Sequence, residues 1–189
     1  FFIQAEDCIR DSSTSRGLGD VYKRQREECI QIRESAKDFS KSHSIGIDGK
    51  PKIDGYRNAE IGKASPLRLP DIAKHVLEFN SKHYNMILSG DLQTAVNKYG
   101  EGQYFDTHID IVFNDSMLEQ KQVRKLSCAI QLSDPSEYEG GDLVVRDEIM
   151  SKDIGDLHIF HAVTPHRVSP ITKGTRYSMN IFCYGDITW

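Results

Sequence analysis

The chain has 189 residues, 38% of them hydrophobic and 28% charged, a globular balance sufficient for one sizeable core. A net charge of −4 and a pI near 6.0 provide no basic footprint, so binding to nucleic-acid phosphates is not expected. No apolar run approaches the ~20 residues that span a bilayer, no leader pattern opens the sequence, and Cys8, Cys29, Cys128 and Cys183 lack CxxC spacing. A reducing cytoplasm without a disulfide framework is therefore the expected setting.

Residues 1–25 read unlike the rest. The stretch from Cys8 to Gln25 is rich in Ser, Gly and Arg, has neither helical nor strand period, and resembles translated sequencing-adapter sequence. It is set aside as a non-native or disordered N-terminal segment. From Arg26 to about Ser40, charged and apolar residues alternate loosely, as on a surface helix. Residues 44–66 carry the Gly, Lys, Asp and Pro of a long loop. Pro70 opens a segment in which Ile72, Val76, Leu77 and Phe79 recur near helical spacing, predicting an amphipathic helix capped by Asp71 and running to Tyr84.

Beyond residue 90 the period changes. Leu92–Tyr99, Lys125–Leu132, Gly141–Val145, Asp156–Phe160 and Arg176–Tyr184 are short and roughly alternating. Between them stand Asp134-Pro-Ser, Gly140-Gly141, Gly155, Pro170 and Gly174. Short strands with punctuating turns predict an antiparallel sandwich or barrel. Helices first and strands after give a mainly β core with supporting helices.

Four polar residues fall at suggestive places. His108 and Asp110 are two apart, so on a strand they project to one side and can reach one metal ion. A strand end carrying both by chance is the plain alternative. His166 is the third candidate ligand, with His158 and His161 as competitors. His166 is preferred because it stands at the entry to Pro170-Ile-Thr-Lys-Gly and ten residues before Arg176. Two imidazoles and one carboxylate on one face of a metal leave positions open, the arrangement of non-haem Fe(II) oxygenases. Arg176 supplies a fixed cation able to hold an acidic co-substrate through parallel hydrogen bonds. Alone it would read as a surface residue opening a strand.

From about Asp48 to Trp189 the chain resembles the Fe(II)/2-oxoglutarate dioxygenases of the prolyl 4-hydroxylase-like group, especially PKHD-type hydroxylases and phage-encoded relatives. The carrying segments are Tyr99-Gly-Glu-Gly-Gln-Tyr-Phe-Asp-Thr-His-Ile-Asp110, Leu126 to Asp142, Gly155-Asp-Leu, and His166 to Ser178, with Tyr56-Arg-Asn a weaker match. The resemblance implies a double-stranded β-helix, a cupin-like jelly roll, with residues 26–189 as a single such domain. It implies iron held by His108, Asp110 and His166, and the distal carboxylate of 2-oxoglutarate held by Arg176. Ser178 would assist Arg176, and Tyr99 would stand near the co-substrate.

Gln131 occupies a strand position where some relatives carry a co-substrate-contacting Tyr, and Tyr104 reads equally as site-facing or as packing. The implied reaction hydroxylates an unactivated C–H bond of a small-molecule or peptidyl substrate, such as a prolyl residue or an amino acid. It consumes O2 and 2-oxoglutarate, releases succinate and CO2, and takes ascorbate as an accessory. For a phage-encoded protein the setting becomes the host cytoplasm. A non-catalytic, metal-binding jelly-roll module and a zinc hydrolase are the alternatives, and neither explains Arg176. Substrate choice would lie in loops 44–66, 111–124 and 146–154, the second of which could close as a lid or be an ordinary connection.

Overall fold

The computed structural model describes residues 18–42, 44–45, 51–52, 56–63, 69–111, 119 and 121–187. In chain order the elements are α1 (Leu18–Ser35), β1 (Lys37–Lys41), β2 (Ser44–Ile45), β3 (Pro51–Lys52), β4 (Arg57–Asn58), β5 (Glu60–Lys63) and α2 (Leu69–His83). There follow β6 (Leu92–Tyr99), β7 (Tyr104–His108), β8 (Gln122–Gln131), a 3-10 turn (Pro135–Glu137), β9 (Tyr138–Gly140), β10 (Leu143–Val145) and β11 (Glu148–Ile149). The last four are β12 (Leu157–His161), β13 (His166–Val168), β14 (Ile171–Gly174) and β15 (Arg176–Asp186).

Six strands form a major sheet in the order β1-β5-β6-β15-β8-β12, and five form a minor sheet in the order β11-β10-β13-β7-β4. The pairings within both are antiparallel. Together they make the double-stranded β-helix that the sequence resemblance implies, with helices on one side.

Side-chain alternation along the central strands divides the core in two. Val96 of β6, Leu126 and Ile130 of β8, and Met179, Ile181 and Cys183 of β15 join Cys29 and Ile32 of α1 and Val76 of α2 in one buried cluster. The opposite face of the same sheet meets the minor one: Tyr99, Ala129 and Phe160 of β12 cluster with Leu143, Val145 and Val168. That second face also buries Asn97, Ser127, Gln131, Arg176 and Ser178. Buried polar side chains on an inner sheet face are costly unless paired, so they mark the functional side of the barrel.

Several elements differ from the sequence expectation. The first helix begins at Leu18, ahead of Arg26, and ends at Ser35, so it crosses the boundary drawn at residue 25; residues 1–17 lie outside the described residues. Lys37–Lys41 is not helical but pairs antiparallel with β5 through a register shift, with Asp38 at φ +56°. A left-handed residue stops a helix, and the strand ladder then decides the conformation. Within the expected loop 44–66, β4 and β5 join the two sheets, while 46–50, 53–55 and 64–66 lie outside the described residues. The second helix begins at Leu69, which puts Asp71 inside its first turn rather than ahead of it. β6 matches its expected bounds, whereas β8 starts earlier, at Gln122, and ends at Gln131, and β15 runs on to Asp186, because each pairs along most of its length with the other.

Cys29, Cys128 and Cys183 are free and buried; burial, with Glu28 nearby, pushes the Cys29 thiol up to about 12. Among the described residues no helix is long and apolar enough to cross a membrane.

The Gly140-Gly141 turn links β9 to β10 beside the site. Gly140 has φ +73°, and a Cβ there would stand 2.3 Å from the Pro170 carbonyl oxygen. Gly140→Ala is expected to lose at least about 1–3 kcal/mol from backbone strain, read as a lowered midpoint in thermal unfolding.

Candidate active site

His108 ends β7 and His166 opens β13, and the two are direct partners across the ladder. Val168 is opposite Phe105, so three steps along β7 answer two along β13. This bulge lets Phe105 and His108, three apart in sequence, line the same cavity, which the strict two-residue period of a regular strand would forbid. Asp110 is not on the strand, contrary to the sequence expectation. It lies in the bend just beyond, where its backbone N–H donates to the Ala162 carbonyl at 2.8 Å. The turn, rather than strand alternation, brings the carboxylate to the imidazoles.

The three side chains converge. His108 Nε2 is 3.5 Å from Asp110 Oδ1, and His166 Nε2 is 3.3 Å from Asp110 Oδ2. One ligand atom from each residue lies within 4.8 Å of the others, a set with the spacing to hold a metal ion. His158 and His161 take no part: His158 Nε2 meets the Ser151 carbonyl at 3.1 Å, and His161 Nδ1 accepts from the Val163 N–H at 3.3 Å.

Each of the two imidazoles is oriented by a backbone carbonyl two residues earlier. His108 Nδ1 donates to Asp106 O at 2.8 Å and His166 Nδ1 to Thr164 O at 3.0 Å. A carbonyl only accepts, so the proton of each neutral ring sits on Nδ1 and the Nε2 lone pair faces Asp110. The Phe105 ring stacks on His108 with centroids 3.5 Å apart.

Burial pushes His108 below the ordinary imidazole value, against the raising effect of Asp110. Burial also opposes charge on Asp110, but its contacts with the two imidazoles outweigh this and hold the carboxyl far below the usual carboxylate range. With a proton on an Nε2 the carboxylate is stabilised. With none, lone pairs converge on one point, and a cation satisfies all three. The two nitrogens and one oxygen suit a divalent transition metal.

Arg176 opens β15 on the facing sheet and lines the same cavity. It is 2% exposed. Its Nη2 donates to Gln131 Oε1 at 2.7 Å, while Nε and Nη1 are buried without a partner. Among the described residues no carboxylate forms an ion pair with it. Tyr99 is its direct partner on β6, with the ring centroid 5.7 Å from the guanidinium carbon. Ser178, 3% exposed, lines the cavity two residues on.

Tyr104 lies opposite Asn58 on β4 and is not part of the cavity lining. Sequence reasoning left Gln131 in doubt and did not single out Tyr138, whose hydroxyl accepts a hydrogen bond from Gln131 Nε2. Ser127, Ala129 and Gln131 do alternate with Leu126, Cys128 and Ile130, a signal that this face of β8 is polar. Nothing near Tyr138 in sequence marks it. Residues 112–118 and 120 of the expected lid lie outside the described residues.

An unpaired buried cation is costly, and removing it need not harm the fold. Arg176→Met is expected to leave the unfolding free energy unchanged or raise it by up to about 4 kcal/mol, measured by denaturant unfolding without ligand. A large loss of stability would show that the guanidinium is structural.

The sequence profile of the 2OG-Fe(II) oxygenase superfamily matches residues 94–184, a span that includes all four of these residues. A PKHD-type hydroxylase of Aliarcobacter butzleri (strain RM4018) is 31% identical over 167 residues, covering 82% of this chain and 70% of its own length. One of Pseudomonas aeruginosa (strain LESB58) is 37% identical over 162 residues, covering 80% and 71%. Among solved structures, a Pseudomonas putida prolyl-4-hydroxylase aligns with a TM-score of 0.61 at 19% identity, over 87% of this chain and 86% of its own. A Trichoplax adhaerens prolyl hydroxylase, in complex with a hypoxia inducible factor oxygen degradation domain peptide fragment, gives 0.62 at 16% identity, over 93% and 81%. At such identities the two structures speak for the fold.

Proposed function

Because this chain belongs to the 2OG-Fe(II) oxygenase superfamily and is an oxidoreductase, we propose that it hydroxylates an unactivated C–H bond, consuming O2 and 2-oxoglutarate and releasing succinate and CO2. The observation that carries this reading is the pairing of a His-Asp-His cluster with a buried, unpaired guanidinium in the same cavity. A metal-binding module without catalysis accounts for the cluster but gives the guanidinium no purpose.

In this reading His108, Asp110 and His166 hold Fe(II), and the donor set fits it. The group that binds there, Fe(II) with 2-oxoglutarate, supplies the oxidising chemistry that no side chain can. The chain's own part is placement. The Nδ1 protons are committed to Asp106 O and Thr164 O, which keeps both Nε2 atoms available as donors. Asp110 brings the negative charge that balances a divalent ion. Arg176 offers Nε and Nη1 to the distal carboxylate of 2-oxoglutarate, with the Ser178 hydroxyl and Tyr99 beside it. Phe105, Leu143, Phe160 and Val168 furnish apolar cavity walls that limit water around these charges.

The relatives named PKHD-type hydroxylases, and the solved prolyl hydroxylase with its peptide, support prolyl peptides as the first substrates to test, with free amino acids next. Ascorbate is the proposed accessory reductant, tested by comparing turnover with and without it.

Anaerobic titration of metal-free protein with Fe(II) and 2-oxoglutarate should produce a visible charge-transfer band, and succinate should form once O2 and a substrate are added. Absence of both would favour the non-catalytic module. Asp110→Ala should abolish succinate formation and weaken Fe(II) binding by more than the about 10–100-fold that loss of an outer-shell partner costs. Unchanged turnover would reject the assignment.

A further inference from the structure

The polar contacts of Arg176 have an unusual composition. Its Nη2 donates to an amide oxygen, Gln131 Oε1, at 2.7 Å, and the neutral Tyr138 phenol is its other polar neighbour. Gln131 spends its other end on the Tyr138 hydroxyl, to which Nε2 donates. A guanidinium has no acceptor, so Gln131 must present oxygen to Arg176 and nitrogen to Tyr138. The orientation of the amide is thereby fixed by chemistry. Both ends of Gln131 are occupied, so it is in no position to grip a ligand itself.

All three side chains are buried: Gln131 is 4% exposed, Tyr138 5% and Arg176 2%. They come from three separate strands, β8, β9 and β15, and Gln131 is the direct ladder partner of Ser178. The close turn at Gly141 keeps the group tight, for a Cβ there would lie 3.1 Å from Arg176 Cδ and 3.3 Å from Tyr138 Cε2. Burial pushes the Tyr138 phenol up, against the lowering effect of the Arg176 charge, so it stays neutral. A buried arginine is ordinarily held by a carboxylate. Here the brace has the same reach but carries no charge.

We propose that Gln131 and Tyr138 are positioning residues that aim the Arg176 guanidinium while leaving its charge uncompensated, so that its grip on a distal carboxylate depends on both. The inference rests on the co-substrate reading above and deepens it. A glutamate at position 131 would keep the size and the contact to Arg176 but would neutralise the guanidinium. A phenylalanine at position 138 would keep the packing but free the amide end of Gln131 to rotate.

The experiment is anaerobic calorimetry on the full chain loaded with Fe(II), with two probes, 2-oxoglutarate and oxalate. Oxalate keeps a metal-chelating end and lacks the distal carboxylate. Gln131→Glu should weaken 2-oxoglutarate binding by at least tenfold, leave oxalate affinity within twofold, and leave the thermal midpoint unchanged or higher. Tyr138→Phe should weaken 2-oxoglutarate several-fold with oxalate again unaffected, and it carries the test if Gln131→Glu does not fold. Wild-type affinity for 2-oxoglutarate in both variants would overturn the proposal. So would an equal loss for the two probes, which indicates general damage to the cavity. If wild-type protein binds oxalate but not 2-oxoglutarate, the co-substrate reading itself fails, and this inference with it.

Discussion

The site depends on two backbone carbonyls, those of Asp106 and Thr164, that take the Nδ1 protons of His108 and His166. An imidazole free to turn presents either nitrogen, or neither, to a neighbouring group. Committing Nδ1 to a carbonyl two residues back fixes the ring plane and leaves Nε2 as a lone-pair donor aimed at Asp110. Both carbonyls belong to the strand or turn carrying their own histidine, so each ring is oriented locally. The ladder pairing of His108 with His166 then fixes the distance between the two. The arrangement needs the β7 bulge, because an unbroken two-residue period would place Phe105 and His108 on opposite faces. The same bulge puts Phe105 flat against His108, removing a second route by which the ring could turn.

The major sheet performs two tasks with one set of strands. On β15, Met179, Ile181 and Cys183 face the helix layer while Arg176, Ser178 and Asn180 face the cavity. On β8, Leu126 and Ile130 face the helices while Ser127 and Gln131 face inward. α1 is held against this layer by Cys29 and Ile32 and is tied to the loop after β8 by ion pairs from Arg26 to Asp134 at 2.5 Å and from Arg33 to Glu137 at 2.6 Å. Exposed or half-exposed pairs of this kind contribute little by themselves. Their position beside the 3-10 turn that leads into β9 matters more, because that strand brings Tyr138 to Gln131.

Much of this was legible from residue order, for identifiable physical reasons. β6 and the inner-outer alternation of β8 and β15 follow from their two-residue period, and the turns at Asp134, Gly140 and Gly174 follow from residues with few other roles. The convergence of His108, Asp110, His166 and Arg176 was anticipated from spacing and from resemblance to a family. Lys37–Lys41 was not legible as a strand, since its polar composition carries no alternation and its conformation is imposed by pairing with β5. Asp110 was expected on the strand because sequence spacing cannot reveal where a ladder ends. Tyr138 was invisible for a deeper reason: its role is set by a hydrogen bond to a residue on a different strand, and a hydroxyl seven positions away leaves no mark in the period of β8.

The same cavity therefore contains two charges that the chain does not itself balance in full. Asp110 has two imidazoles, which match its charge only when protonated, and burial disfavours that state for His108. Arg176 has a neutral amide and two unpartnered nitrogens. Both arrangements cost stability in the ligand-free protein, and the apolar cluster between helices and major sheet offsets them from the far side of the same strands. Each deficit is specific in sign and place: a cation is wanted at the minor sheet and an anion at the major sheet, with one continuous cavity between. In the proposed function, a 2-oxo acid held at a divalent metal, with a free carboxylate at its other end, would satisfy the two at once. A metal alone would settle only the first, and a simple anion only the second. That paired demand distinguishes this barrel from one that merely stores a metal.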